Sequence, residues 1–99
     1  MKISVYSYDY QLQKPTRKPF NMDVTPDYSF ELFDQAIKVT RREEHVDVWG
    51  RKYTTSRLVT YIDKNDMVMY NGRKFSFTDV NSMKLFIHNI TVDLTMRNI

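Results

Sequence analysis

The stretch Asp66-Met-Val-Met-Tyr-Asn-Gly-Arg-Lys-Phe-Ser-Phe-Thr78 decides the fold. Two short runs of β-forming residues flank Asn71-Gly72. A two-residue type I′ turn needs positive φ at both central positions, and Asn-Gly supplies this with the least strain. The segment therefore reads as a tight hairpin. It makes the last third of the chain an antiparallel sheet and points away from a catalytic α/β fold.

Working upstream, residues 53–62 are rich in β-branched side chains (Thr54, Thr55, Val59, Thr60, Ile62) and read as a strand. Asp63-Lys64-Asn65-Asp66 is a polar turn between that strand and the hairpin. Residues 35–43 read as a further strand, with a short lead-in from Phe30 whose aromatics plug the core. The charged run 43–52, which includes Gly50, reads as a long loop between the second and third strands. Near the start, residues 3–8 alternate with a period of two and predict a strand. All three prolines, Pro15, Pro19 and Pro26, fall within residues 9–29. Proline removes a ladder donor and extends its predecessor, so this segment is expected to be a long loop or arm. It serves either as a surface connection or as a partner-docking arm.

Downstream, Asn81-Ser82 breaks the run, and Met83–His88 reads as strand or irregular. In residues 90–97, Ile90, Val92, Leu94 and Met96 alternate with Thr91, Asp93, Thr95 and Arg97. That pattern predicts a half-buried closing strand. About five or six strands joined by hairpins gain most by closing, because closure removes exposed edges. The expected fold class is all-β: a small antiparallel β-barrel with residues 30–97 as its core, residues 1–8 as a strand and 9–29 as an arm, all in one domain.

Composition narrows the chemistry. Ninety-nine residues with 41% hydrophobic side chains support a single modest core. With no cysteine, neither a disulfide framework nor a thiolate zinc site is available. Only two glycines occur, so no phosphate-cradling loop is expected. Beyond Tyr6 the start is too polar for a secretory core, and no run reaches the ~18 apolar residues of a membrane helix. Net charge is +3, with acids and bases interspersed. His45 lies beside Glu43, Glu44 and Asp47, but the spacing matches no metal-ligand pattern and suits a solvated loop. His88 reads as a turn residue, and Asn89-Ile90-Thr91 matches a glycosylation sequon at an expected strand start. No nucleophile–base pattern appears, so no enzyme, metal or cofactor is expected.

Aromatics offer two further readings. Phe75 and Phe77 share one face of the hairpin beside Arg73 and Lys74, so they either stack on nucleic-acid bases or fill the core. Trp49, the lone tryptophan, sits in the charged loop. It either folds back over the core or awaits a partner, since tryptophan is enriched at binding hot spots.

The runs Thr54–Ile62 and Asp66–Val80 resemble the C-terminal half of the head–tail joining family of long-tailed bacteriophages, also called head-closure or stopper proteins. The family pattern I-x-Y-x-G-x-x-Y-x-I-x-x-V falls on Val68, Tyr70, Gly72, Phe75, Phe77 and Val80. The final alternating strand falls on residues 90–97. Arg41-Arg42-Glu43 resembles the end of the family's second strand. Phe75 stands where tyrosine is usual, and the N-terminal arm is richer in proline than the family's.

The resemblance implies a structural virion protein of the neck, with no catalytic activity. Copies form a homo-oligomeric ring beneath the portal and its adaptor and above the tail terminator or tail proteins, in contact with packaged DNA. The ring assembles in the host cytoplasm. The loop Glu43, Glu44, His45, Val46, Asp47, Val48, Trp49, Gly50, Arg51 and Lys52 is the implied channel-closing element. Lys14, Pro15, Arg17, Lys18, Pro19 and Phe20 of the arm are the expected protein interface. Two alternatives stand beside it. One is a single-stranded nucleic-acid binder using Arg73, Lys74, Phe75 and Phe77. The other is a small phage regulator that binds a host protein through an exposed edge strand.

Overall fold

The computed structural model describes residues 1–9, 14–15 and 20–96. Eight strand segments precede one helix: β1 (Lys2–Asp9), β2 (Lys14–Pro15), β3 (Phe20–Asp23), β4 (Tyr28–Phe33), β5 (Ala36–Val46), β6 (Lys52–Ile62), β7 (Asp66–Tyr70), β8 (Arg73–Ser76) and α1 (Val80–Met96). The protein is mostly β, as its composition and patterning imply.

The hairpin at Asn71-Gly72 forms as read. Asn71 and Gly72 have φ of 54° and 74°, and β7 pairs with β8 from Met67↔Ser76 to Tyr70↔Arg73. A second positive-φ pair, Asp34 (48°) and Gln35 (62°), turns β4 into β5. Aspartate tolerates this region through its short polar side chain, but Asp-Gln is a far weaker turn signal than Asn-Gly.

The strands form two antiparallel sheets and do not close into a barrel. In the first, β1 pairs with β7, which pairs with β8, while β2 and β3 also pair with β1. In the second, the order is β4-β5-β6. The expected barrel gives way to this arrangement because a helix covers the sheets, so apolar faces are buried without closure.

Of the closing strand expected at 90–97, residues 90–96 belong instead to that helix, and Arg97 lies outside the described residues. Met83, Phe86, Ile90 and Leu94 are buried along α1. The Ile90–Leu94 spacing suits both a strand and a helix, but Met83, Phe86 and Ile90 fit only the 3.6-residue period. Val92 and Met96, assigned inward by alternation, are 40% and 65% exposed. The start is fixed by a reciprocal cap: Ser82 N donates to Asp79 Oδ1 at 2.8 Å, and Asp79 N donates to Ser82 Oγ at 3.3 Å. The residues that seemed to break a strand thus begin a helix.

Phe86 joins the two sheets. Its ring meets Phe30 of β4 at 6.2 Å, Tyr70 of β7 at 6.3 Å, Phe75 of β8 at 5.4 Å and Phe77 at 5.5 Å, all edge-on. Such contacts add stability beyond the area they bury. Around this ring lie Ile3 and Val5 of β1, Ile37 and Val39 of β5, Ile62 and Val68.

The expected arm at 9–29 is partly strand. β3 pairs with β1 from Lys2↔Asp23 to Val5↔Phe20, and Met22 and Val24 are buried. Prolines on either side hide the period-two pattern of Phe20, Met22 and Val24. In the lead-in before β5, Phe30 reaches the core, whereas Phe33 is 52% exposed.

Candidate functional site

The most exposed feature is the outer half of the β5–β6 hairpin. Buried side chains of β5 end at Val39, and every β6 residue from Lys52 to Leu58 is exposed. Beyond the core the two strands continue as a ribbon, paired from Arg42↔Ser56 to Val46↔Lys52. The molecule is accordingly elongated, 55 × 28 × 24 Å.

The expected loop 43–52 is therefore mostly strand. Glu43–Val46 close β5, Lys52 opens β6, and only Asp47–Arg51 turn the chain. A ribbon with water on both faces needs no hydrophobic alternation, so its sequence looks like a charged loop.

Cross-strand contacts order one face. Arg41 lies opposite Arg57, Glu43 opposite Thr55, and His45 opposite Tyr53. His45 stacks on Tyr53 with ring centroids 5.1 Å apart, and its Nε2 is 2.8 Å from Thr55 Oγ1. Glu43 sits 3.4 Å from Arg57 Nη1 and 3.7 Å from His45 Nε2. Exposed ion pairs contribute little each, so directly opposed side chains matter more in holding the ribbon.

The tip is pre-shaped. Asp47 Oδ1 accepts hydrogen bonds from the backbone N–H of Trp49 and of Arg51, both at 2.9 Å. Asp47 N donates to the Arg51 carbonyl at 2.9 Å, and Gly50 takes φ of 77°. The Arg51 guanidinium lies 5.3 Å from the centre of the Trp49 ring. Val48 is 89% exposed and Trp49 76%. Trp49 thus does not fold back over the core. A fixed turn presents it with Val48, at low conformational cost to a binding partner.

The other expected site residues are scattered. Lys14 and Pro15 pair with Asp9 and Tyr8 of β1 through β2, and Phe20 opens β3. Arg17, Lys18 and Pro19 lie outside the described residues. Arg73 and Lys74 are exposed on β8, but Phe77 is buried and Phe75 packs on Phe86, so this aromatic pair serves the core. His88 falls within α1 instead of a turn, as does Asn89.

Among the described residues, no cluster of three or more His, Asp or Glu side chains is arranged to hold a metal ion. The clefts are shallow; one of ≈ 320 Å³ lies between the Asn71-Gly72 turn and α1, lined by Arg73, His88 and Asp93. Among the described residues, no helix is long and apolar enough to cross a membrane. Sequence reasoning read β6 as a strand but missed it as an exposed edge, because β-branched content marks a strand without saying where in the sheet it lies. Comparison with protein-family models, with curated proteins and with solved structures finds no match.

Proposed function

We propose that this chain is a structural assembly protein of a bacteriophage neck, a ring component whose β5–β6 ribbon projects toward the DNA channel. The ribbon carries this reading: a self-ordered element that leaves the core and ends in a fixed, exposed Val48-Trp49 tip. Equivalent ribbons in a ring converge at the axis, so a short tip on each suffices to narrow the channel. Of the acids there, Glu44 faces DNA phosphate as an unfavourable charge, whereas Glu43 is paired with its own Arg57 and Asp47 is tied into the turn. The ring forms through head-to-tail contacts between copies, with portal or adaptor on one side and tail proteins on the other.

The resemblance of Val68, Tyr70, Gly72, Phe75, Phe77 and Val80 to the stopper pattern supports the same reading over this segment, whereas the closing strand it implied downstream is the helix α1. The nucleic-acid alternative is less favoured, because its two aromatics pack against the helix. Removing residues 44–50 shortens the ribbon and spares every core side chain. Particles carrying that deletion should lose packaged DNA before tail attachment. Full DNA retention in them would refute the channel-closing role.

A further inference from the structure

β6 forms one side of the second sheet. One edge pairs with β5, and the other has no strand partner among the described residues. Natural proteins usually blunt such edges with proline, bulges, short length or charged side chains, and of these Tyr53–Leu58 carries only the charge of Arg57. Here Tyr53–Leu58 runs without proline, and the register shift lies beyond it, at Val59.

The turn fixes which backbone groups are free. Asp47 N–H donates to the Arg51 carbonyl. Antiparallel alternation from that pair directs the N–H and C=O of Tyr53, Thr55 and Arg57 toward β5. It directs those of Lys52, Thr54, Ser56 and Leu58 outward.

We propose that the β6 edges of two copies of this chain pair antiparallel about a twofold axis at Thr55, merging two three-stranded sheets into one. Three features support a second copy as the occupant. The first is backbone register. With Thr55 facing Thr55, outward-directed Thr54 meets outward-directed Ser56 of the second copy, and Lys52 meets Leu58. Each such pair exchanges both backbone hydrogen bonds.

Charge is the second feature. Tyr53 of each copy faces Arg57 of the other, a cation–π pair, while Glu43 stays 3.4 Å from its own Arg57. No like charges oppose each other. Centring the axis on Arg57 instead sets two guanidiniums face to face, which is unfavourable.

The third feature is the position of exposed apolar groups. Trp49 is 76% exposed at the tip and Tyr61 44% exposed near the ribbon's root. In the proposed register, the Trp49 tip of each copy lies near the Tyr61 end of the other copy's ribbon, allowing for the shift at Val59. This pairing describes the free protein and does not rest on the neck reading.

The test uses the full chain. Sedimentation equilibrium from about 1 to 100 μM should show a monomer–dimer equilibrium. Ser56→Pro removes an outward N–H and should raise the dissociation constant at least about tenfold, with circular dichroism confirming the fold. The chain has no cysteine of its own. Thr55→Cys therefore places one thiol per copy at the axis, and an added oxidant should give a covalent dimer. Arg57→Cys should not cross-link, since its two thiols lie roughly 13 Å apart along the strands. Three results each overturn the proposal: a monomer at every concentration, which leaves the edge to a strand of a different protein; a dimer unaffected by Ser56→Pro; or Arg57→Cys cross-linking as fast as Thr55→Cys.

Discussion

Arg41 Nε donates a 2.8 Å hydrogen bond to Asp27 Oδ2 where the ribbon leaves the body. The Asp27 carbonyl accepts from Arg42 N at 2.8 Å as well, so one residue ahead of β4 anchors two on β5. The Arg41 side chain also lies over the Tyr28 ring, 5.7 Å from its centre. Together these contacts brace the root of an element that has no core of its own beyond it.

Acid should loosen this brace. The Arg41 hydrogen bond, followed by that of Thr25, holds the Asp27 carboxyl below the ordinary aspartate range. A depressed folded-state pKa gives stability that is present above the unfolded value, about 3.9, and lost as pH falls through the lower folded value. Asp27→Asn should therefore flatten the loss of stability between neutral pH and the acid limb. Urea midpoints of both proteins across that range check it; equal slopes would show that the pair is energetically silent.

The node at Phe86 carries much of the fold. Phe86→Ala removes a buried ring that contacts both sheets and should cost about 3–5 kcal/mol. Denaturant unfolding reads this directly. Phe86→Leu should recover a large part of the loss, because the volume is partly refilled.

The helix cap is worth less, but it is separable. Asp79→Ala leaves Ser82 N without its 2.8 Å acceptor and should cost about 1 kcal/mol. Asp79→Asn or Asp79→Ser should retain most of the stability, since both can cap. Helical content by circular dichroism at moderate denaturant distinguishes the three.

At Gly72 the cost is purely conformational. A Cβ there would meet nothing within 4 Å, but φ is 74°. Gly72→Ala should destabilise by roughly 1 kcal/mol through backbone strain alone. Its unfolding midpoint, compared with that of an exposed Ser76→Ala control, isolates the effect.

The sequence yields these features unevenly, for physical reasons. Asn71-Gly72 was legible because Asn-Gly is the pair that enters a positive-φ turn with least strain, whereas Asp34-Gln35 makes a like turn without that signal. β6 was legible from its β-branched run. α1 was not, since Ile90, Val92, Leu94 and Met96 satisfy a period of two by coincidence; the deciding marks were Met83, Phe86 and the Asp79–Ser82 cap. β3 hid between prolines, and β2 comprises only Lys14 and Pro15. The ribbon looked like a loop because strands wetted on both faces carry no apolar rhythm. Trp49 was identified as a candidate contact with two possible fates, and the Asp47 turn decides between them.

Because Val46 through Lys52 contribute no side chain to the core, the reach of the tip is uncoupled from folding of the body. Adding two residues to each strand extends it by roughly 7 Å and leaves every existing side chain on its original face; adding one to each flips the outer faces. The projection thus works as an adjustable ruler, its length set by strand insertions alone.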